Sequence, residues 1–354
     1  MLGIVLSGGG SKGAYEIGVW KALRKLDIKY DIVTGTSVGA LNAALMCQNK
    51  FYKALRFWQK LDFDDVIDEK IESDEKKEIY KTYLMGALKG GMSINNLEST
   101  VDKAISVKKI YKSKINMGMI TFNLNTLKPL RLVKLGIPKR HFKNYLIASA
   151  SCFPAFTKKE IDDNFYIDGG IYDNLPINLA IQMGADKIIA VDLKEIGIKQ
   201  KVKNKNIPIT YISPRNDIGS FLIFESKMAK RAIRLGYNDT LKTFKKLEGN
   251  KYTFKKLTQS YNKYYPLFKE YKKEITYERF IEILETLGYA LEIDDSYIYS
   301  VKKFNKLLKN KFKQDSSNKQ KESIKDFYDD LDDKIRSNKI DYLCALYMRI
   351  IENR

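Results

Sequence analysis

The sequence predicts a layered α/β domain followed by a helical region, and three observations carry that prediction. An apolar run at residues 2–6 enters the glycine loop SGGGSKG and then a stretch of helical spacing. A second short apolar stretch, residues 31–34, enters a serine held between two glycines, GTSVG, and then a run of small residues. From about residue 245 the glycine-punctuated strand pattern stops. Strand, loop, helix, strand, helix is how a sheet covered by helices begins.

The elements follow in order. Residues 2–6 form the first strand. Residues 14–26 form a helix with Ile17, Trp20, Ala22, Leu23 and Leu26 toward a core. Residues 31–34 are the second strand and residues 38–47 a small-residue helix. Residues 50–115, with an acidic cluster at 62–78, read as a charged, solvated helical insertion. Strand patterns return at 116–123 and 130–135. HFKNYLIASASCFPAF, residues 141–156, reads as a helix closing at Pro154. Residues 164–193 give a strand, a turn, a helix and a strand, and 207–213 the last strand of the sheet. Residues 1–245 thus form one domain and 246–354 a basic helical appendage. Between residues 242 and 274, ten Lys and eight Phe or Tyr accompany three Glu.

Composition narrows the function classes. At 44% apolar residues the chain can bury a core and is not globally disordered. Its net charge of +20 points to an anionic partner, nucleic acid or an anionic lipid surface, or else to a genome biased toward lysine codons. The Lys and aromatic mixture at 242–274 would suit single strands. No recognised nucleic-acid module accompanies it, so nucleic acid is not an expected partner. Three distant cysteines, Cys47, Cys152 and Cys344, form no disulfide framework, and with one histidine they make no zinc site. No metal and no cofactor is expected. The N-terminus lacks a basic n-region, and no apolar run approaches the ~20 residues needed to span a bilayer. The expectation is a cytoplasmic protein with peripheral membrane contact open to it. Residues 300–314 space Val301, Phe304, Leu307, Leu308 and Phe312 among lysines. That face suits an anionic bilayer or, the preferred reading, packing on its own domain.

A Gly-x-Ser-x-Gly match alone is weak, and its context strengthens it. A nucleophile elbow forces its serine into a sparsely allowed conformation between strand and helix, so the positions two before and two after must be small. Gly35 and Gly39 fill those positions around Ser37, and the helix amino terminus favours negative charge there. The loop GGGSKG formally fits a dinucleotide fingerprint. That fingerprint wants an acidic residue at the end of the second strand, where this chain has Thr34 and the serine. A P-loop fails because Ala14 and Tyr15 follow Gly13. Successive glycine amides can instead bind the charge that builds on a carbonyl oxygen during acyl transfer. Lys12 would hold that loop or an anionic head group.

A serine needs a base. The one histidine, His141 in KRHFKNY, reads as an exposed surface residue with no orienting carboxylate nearby in sequence. The best carboxylate is Asp168 in YIDGGIYDN, after an apolar strand and before Gly169 and Gly170. On local sequence alone an Asp-Gly pair reads as a turn, and Asp173 is a rival for the same reason.

Taken together, GGGSKG, GTSVG and DGG, in that order, resemble the patatin-like phospholipase family, whose members use a Ser–Asp dyad. The resemblance covers roughly residues 1–245. IASASCFPAF (147–156) is similar to a further family block that packs beside the site, and LGYNDTL (235–241) resembles the stretch near the end of bacterial members. It implies a three-layer α/β/α sandwich with a central, mainly parallel sheet. It also implies Ser37 as nucleophile, Asp168 as base, and an oxyanion hole from the amides of Gly8, Gly9, Gly10 and Val38. Lys12, Gly13, Gly35, Gly39, Gly169 and Gly170 would support these groups. The implied activity is hydrolysis of acyl esters in phospholipids or lysophospholipids. The C-terminal third takes no part in the resemblance.

Overall fold

The computed structural model of the chain describes residues 1–62, 65, 66, 68, 76–318 and 340–353. Two units divide it, Met1–Thr240 and Leu241–Arg354. The acidic cluster of the sequence lies largely outside the described residues.

An eight-stranded sheet organises the first unit. Its strands are β1 (Leu2–Leu6), β2 (Ile32–Thr36), β3 (Asn116–Asn123), β4 (Lys128–Val133), β5 (Lys159–Ile161), β6 (Asn164–Asp168), β7 (Lys187–Val191) and β8 (Ile209–Ile212). The order is β5-β6-β3-β2-β1-β7-β8, with β4 also paired to β3. The run β3-β2-β1-β7-β8 is parallel, whereas β4, β5 and β6 join antiparallel. Central strands of this kind are buried on both faces and read as continuous apolar runs rather than alternating ones. LGIVL and KIIAV have that character.

Helices accompany the strands along the chain, and the second, seventh, eighth and ninth lie directly against them. The helices are α1 (Gly13–Lys25), α2 (Val38–Cys47), α3 (Phe51–Lys60), α4 (Lys76–Leu88), α5 (Asn95–Ala104), α6 (Val107–Lys112), α7 (Phe142–Ala150), α8 (Gly170–Asp173), α9 (Ile177–Gln182) and α10 (Ser226–Thr243). Val5, Ile32, Ile188 and Ala190 point to one face and cluster with Ile177 and Ala180 of α9. The alternate residues Ile4 and Leu6 are just as buried and point to the other face. In α2, Ala40, Ala43 and Ala44 are fully buried, so small side chains let this helix lie close on the sheet.

Strand ends differ from the sequence reading by one or two residues, as in β2, β4 and β8, and two differences are larger. The helix expected to close at Pro154 ends at Ala150. The Ser151 hydroxyl donates back to the Ile147 carbonyl at 2.9 Å, and the Ser151 carbonyl accepts from the Asp168 amide at 2.9 Å. The helix ladder therefore stops four residues early in favour of a link to β6. The short strand β5 was not anticipated. Asp162 and Asp163 both take left-handed φ, 46° and 59°, and turn β5 tightly into β6.

The second unit contains α11 (Thr258–Tyr264), α12 (Tyr277–Ala290), α13 (Val301–Asn318) and α14 (Ile340–Glu352). Its two-residue strands β9 (Thr253–Phe254) and β10 (Ile298–Tyr299) pair in parallel. Its core holds Phe254, Phe280, Phe304, Leu308 and Tyr347, with the Phe254 and Phe304 rings edge-on at 5.1 Å. Val301, Phe304, Leu308 and Phe312, the apolar stripe of residues 300–314, are buried within this unit. The packing reading of that stripe is the one the structure shows. Among the described residues no helix is long and apolar enough to cross a membrane.

Candidate active site

Strand register places the two principal side chains. The parallel pairing of β2 on β3 ends with Thr36 opposite Ile120. The antiparallel pairing of β6 on β3 ends with Asp168 opposite the next residue, Thr121. Strands β2 and β6 therefore meet head to head, and Ser37 follows the last residue of one while Asp168 is the last residue of the other. Ser149 fixes this junction, since its hydroxyl donates to the Ile120 carbonyl at 2.7 Å and accepts from the Ser37 amide at 3.0 Å.

Ser37 has φ 56° and ψ −130°, a conformation non-glycine residues rarely hold. It caps α2 and faces the amide end of that helix. The flanking glycines are needed for space. A Cβ on Gly35 would run into the Gly39 carbonyl, and one on Gly39 would lie 2.6 Å from the Leu6 carbonyl oxygen. Asp168 is 7% exposed, and burial pushes its carboxyl up to about 6. Contact with the Ser37 hydroxyl and the Gly170 amide, which donates at 2.7 Å, pulls the other way.

The glycine loop runs past the same junction. The Gly8 amide donates to the Asn174 carbonyl at 3.1 Å, so of the four expected oxyanion donors this one is already engaged. Among the described residues no protein acceptor takes the amides of Gly9, Gly10 or Val38. Gly10 has φ 52° and its α-carbon abuts the Phe221 carbonyl, a place where a side chain would both strain and clash. Lys12 is not free for a head group. It pairs with Glu195, and both are largely buried.

All these groups line one cavity of about 670 Å3. Ser37, Asp168, Asn42, Asn174, Glu195 and the loop glycines supply its polar lining, and most of the remainder is apolar. Helices α3 and α5 contribute Phe57, Trp58, Leu97, Val101 and Ala104, so the described part of the insertion builds a cavity wall. The solvated reading does not hold for these faces. The i, i+4, i+7 spacing of Leu97, Val101 and Ala104 was the available sign.

Asp173 is also buried and raised to about 6 by burial, yet it does not line the cavity. It accepts from the Gln200 amide, while its carbonyl accepts from the Thr36 hydroxyl at 2.7 Å. His141 does not line the cavity either. It is not the exposed residue expected, since its side chain is 13% exposed with Nε2 3.3 Å from Asp162 Oδ2. The tight β5–β6 turn brings that carboxylate over from 21 residues away in sequence.

Ser37, Asp168 and the loop glycines fall within residues 4–181, which match a sequence-family model described as patatin-like phospholipase. The chain belongs to the patatin-like phospholipase family. It is 28% identical over 192 residues to patatin-like phospholipase domain-containing protein 7 of Rattus norvegicus, covering 54% of this chain and 13% of that protein. It is 28% identical over 200 residues to lysophospholipase NTE1 of Mycosarcoma maydis, covering 55% of this chain and 10% of that protein. The chain therefore spans only a small part of the length of these relatives. The crystal structure of VipD from Legionella pneumophila aligns with 99% of this chain and 86% of its own at TM-score 0.43 and 14% identity, too slight a likeness to bear on the site.

The block 147–156 does lie at the site, with Ala150, Cys152, Phe153 and Phe156 lining the cavity, but the individual parts played by Asn174, Ser149 and Glu195 carried no signal in sequence. Asn174 holds the glycine loop from both sides, since its carbonyl takes the Gly8 amide and its Nδ2 donates to the Gly8 carbonyl at 3.4 Å. Ser149 and Glu195 act from distant segments, and only the folded register makes them neighbours of Ser37 and Lys12.

Proposed function

We propose that this protein is a serine-dependent lipid acyl hydrolase of phospholipase A or lysophospholipase type, with Ser37 as nucleophile and Asp168 as its base. The observation that carries this reading is the head-to-head meeting of β2 and β6, which sets a strained serine beside a buried carboxylate in an apolar cavity.

In this scheme the Asp168 carboxylate takes the hydroxyl proton as Ser37 Oγ bonds to the ester carbonyl carbon. The charge on the carbonyl oxygen is received by the amides of Gly9, Gly10 and Val38 at the positive end of α2. The C–O bond to the alcohol then breaks, and Asp168 returns the proton to that leaving oxygen. Water gives a proton to Asp168 as its oxygen bonds to the acyl carbon. The C–Oγ bond then breaks as Asp168 passes that proton to Ser37 Oγ, and the fatty acid and Ser37 are released. The apolar walls take the acyl chain. Lys12 supports the loop through Glu195, and Gly13, Gly35, Gly39, Gly169 and Gly170 keep the backbones close. Phospholipid and lysophospholipid enter through family membership.

Labelling by a fluorophosphonate probe tests the scheme. The wild type should label, Ser37→Ala should not, and Asp168→Asn should label on the order of 10²- to 10⁴-fold more slowly. Equal labelling of the wild type and a folded Asp168→Asn variant would remove Asp168 from the role of base. Release of fatty acid from phosphatidylcholine and lysophosphatidylcholine then separates the two substrate classes.

A further inference from the structure

Exposed apolar side chains gather at the cavity. Phe153, Ile171, Ile196 and Ile198 are each 42% exposed or more and yet line it, so they form its mouth. Ile196 is 91% exposed, on the loop that follows β7. That loop is held in place. The Ile198 amide donates to the Gly170 carbonyl at 2.9 Å, the Ile198 carbonyl accepts from the Asn174 amide at 2.6 Å, and Glu195 pairs with Lys12.

A second apolar group lies on α4, where Leu84, Met85 and Leu88 are 63%, 47% and 76% exposed. Their spacing puts them on one side of that helix. The buried Tyr83 ties α4 to the cavity wall. Its hydroxyl donates to the Leu222 carbonyl at 2.9 Å and its ring meets that of Phe156 at 6.0 Å, and both partners line the cavity.

The charge beside the mouth is positive. Lys194, Lys199, Lys201, Lys203 and Lys205 are all exposed on the segment that carries Ile196 and Ile198. Of the acids on that segment, Glu195 is paired with Lys12 and Asp192 with Lys199.

We propose that the mouth of the cavity, with the exposed face of α4, is a docking surface for an anionic phospholipid bilayer. The proposal rests on the reading of the cavity as an acyl-ester site. Apolar side chains flanked by lysines match the boundary between lipid tails and anionic head groups. A bilayer seated there delivers an acyl chain from one apolar medium to another, and concentrated exposed apolar surface marks an interaction site. Docking then belongs to the first unit, whereas the apolar stripe of α13 is spent on the core of the second.

The test is partitioning of the full chain onto vesicles of ether-linked phosphatidylcholine with and without ether-linked phosphatidylglycerol. The wild type should bind the anionic vesicles in a salt-sensitive manner. Ile196→Ser with Ile198→Ser, and separately Leu84→Ser with Leu88→Ser, should each weaken binding about tenfold or more. Lys201→Glu with Lys203→Glu should weaken binding only to the anionic vesicles. Leu135→Ser, at a 74% exposed residue that does not line the cavity, should change nothing. Failure of the wild type to bind at low salt overturns the proposal. So do apolar double variants that bind like wild type, as a protein-docking surface would give, or a Leu135→Ser loss equal to theirs. The two apolar pairs lie on separate elements, so the test survives misfolding of either. Ether lipids carry no acyl ester, so this result is independent of whether Ser37 is a nucleophile, which fluorophosphonate labelling decides.

Discussion

Replacing Asp168 by asparagine separates what the fold tolerates from what the chemistry needs. Burial holds this carboxyl at about 6 against an ordinary 3.8. A difference of that size corresponds to about 3 kcal/mol of disfavoured ionisation. Asparagine keeps the shape and the acceptor for the Gly170 amide, and it removes the charge. The sign follows from the direction. The folded state binds this proton more tightly than the unfolded chain, so the wild type loses stability as pH rises from about 4 through about 6. Asp168→Asn should therefore be more stable than wild type by about 2–3 kcal/mol at pH 8, and the gain should vanish below about pH 4. Urea unfolding followed by tryptophan fluorescence reads this out, because both tryptophans, Trp20 and Trp58, belong to the first unit. A variant that is less stable at pH 8, or a gain that does not change with pH, refutes the account of a desolvated carboxylate.

As the base proposed above, the same carboxyl would set a pH profile. Turnover of a soluble short-chain ester should rise through about pH 6 and level off above it, and Asp173→Asn should leave both the profile and probe labelling in place. Ser37→Gly should stabilise the first unit by about 1 kcal/mol or more while abolishing labelling, since glycine holds φ 56° without strain; an unchanged urea midpoint would show the serine backbone to be relaxed. Glu16, 1% exposed and pushed by burial well above its ordinary 4.5, loses the fold stability as pH rises beyond that value, so Glu16→Gln should flatten the pH dependence of urea unfolding. Phe304→Ala should cost the second unit about 3–5 kcal/mol, measured as faster proteolysis within residues 241–354.

Local chemistry made part of this fold legible. The first strand, glycine loop, first helix, second strand and α2 follow from apolar runs bounded by glycines, and α2 spans the same residues, 38–47, that its pattern predicts. What was hidden depends on register. Asp168 and Asp173 look alike in sequence because both sit in one Asp- and Gly-rich turn. Only the pairing of Thr121 with Asp168 puts the first beside Ser37. Gly8 and Lys12 looked like free donors because their partners, Asn174 and Glu195, come from far along the chain. The burial of the α13 stripe needed the aromatic cluster of Phe254, Phe280 and Tyr347, which no local pattern announces.

The carboxyl at about 6 is a balance, and for the proposed dyad that balance is how a carboxylate, in place of an imidazole, could act as base near neutrality. Desolvation favours the protonated form of Asp168, a poor acceptor for the Ser37 proton. Contact with Ser37 and the Gly170 amide favours the charged form and lowers it again. At pH 7 such a group is about nine-tenths ionised and yet binds a proton far better than an exposed aspartate. Removing the Gly170 contact would shift it toward the neutral acid, and opening the cavity to water would shift it toward an ordinary, weakly basic aspartate. The strained Ser37 backbone and the buried Asp168 each cost the fold stability, and both are held at the junction of β2 and β6, where the sheet register leaves neither side chain another place to go.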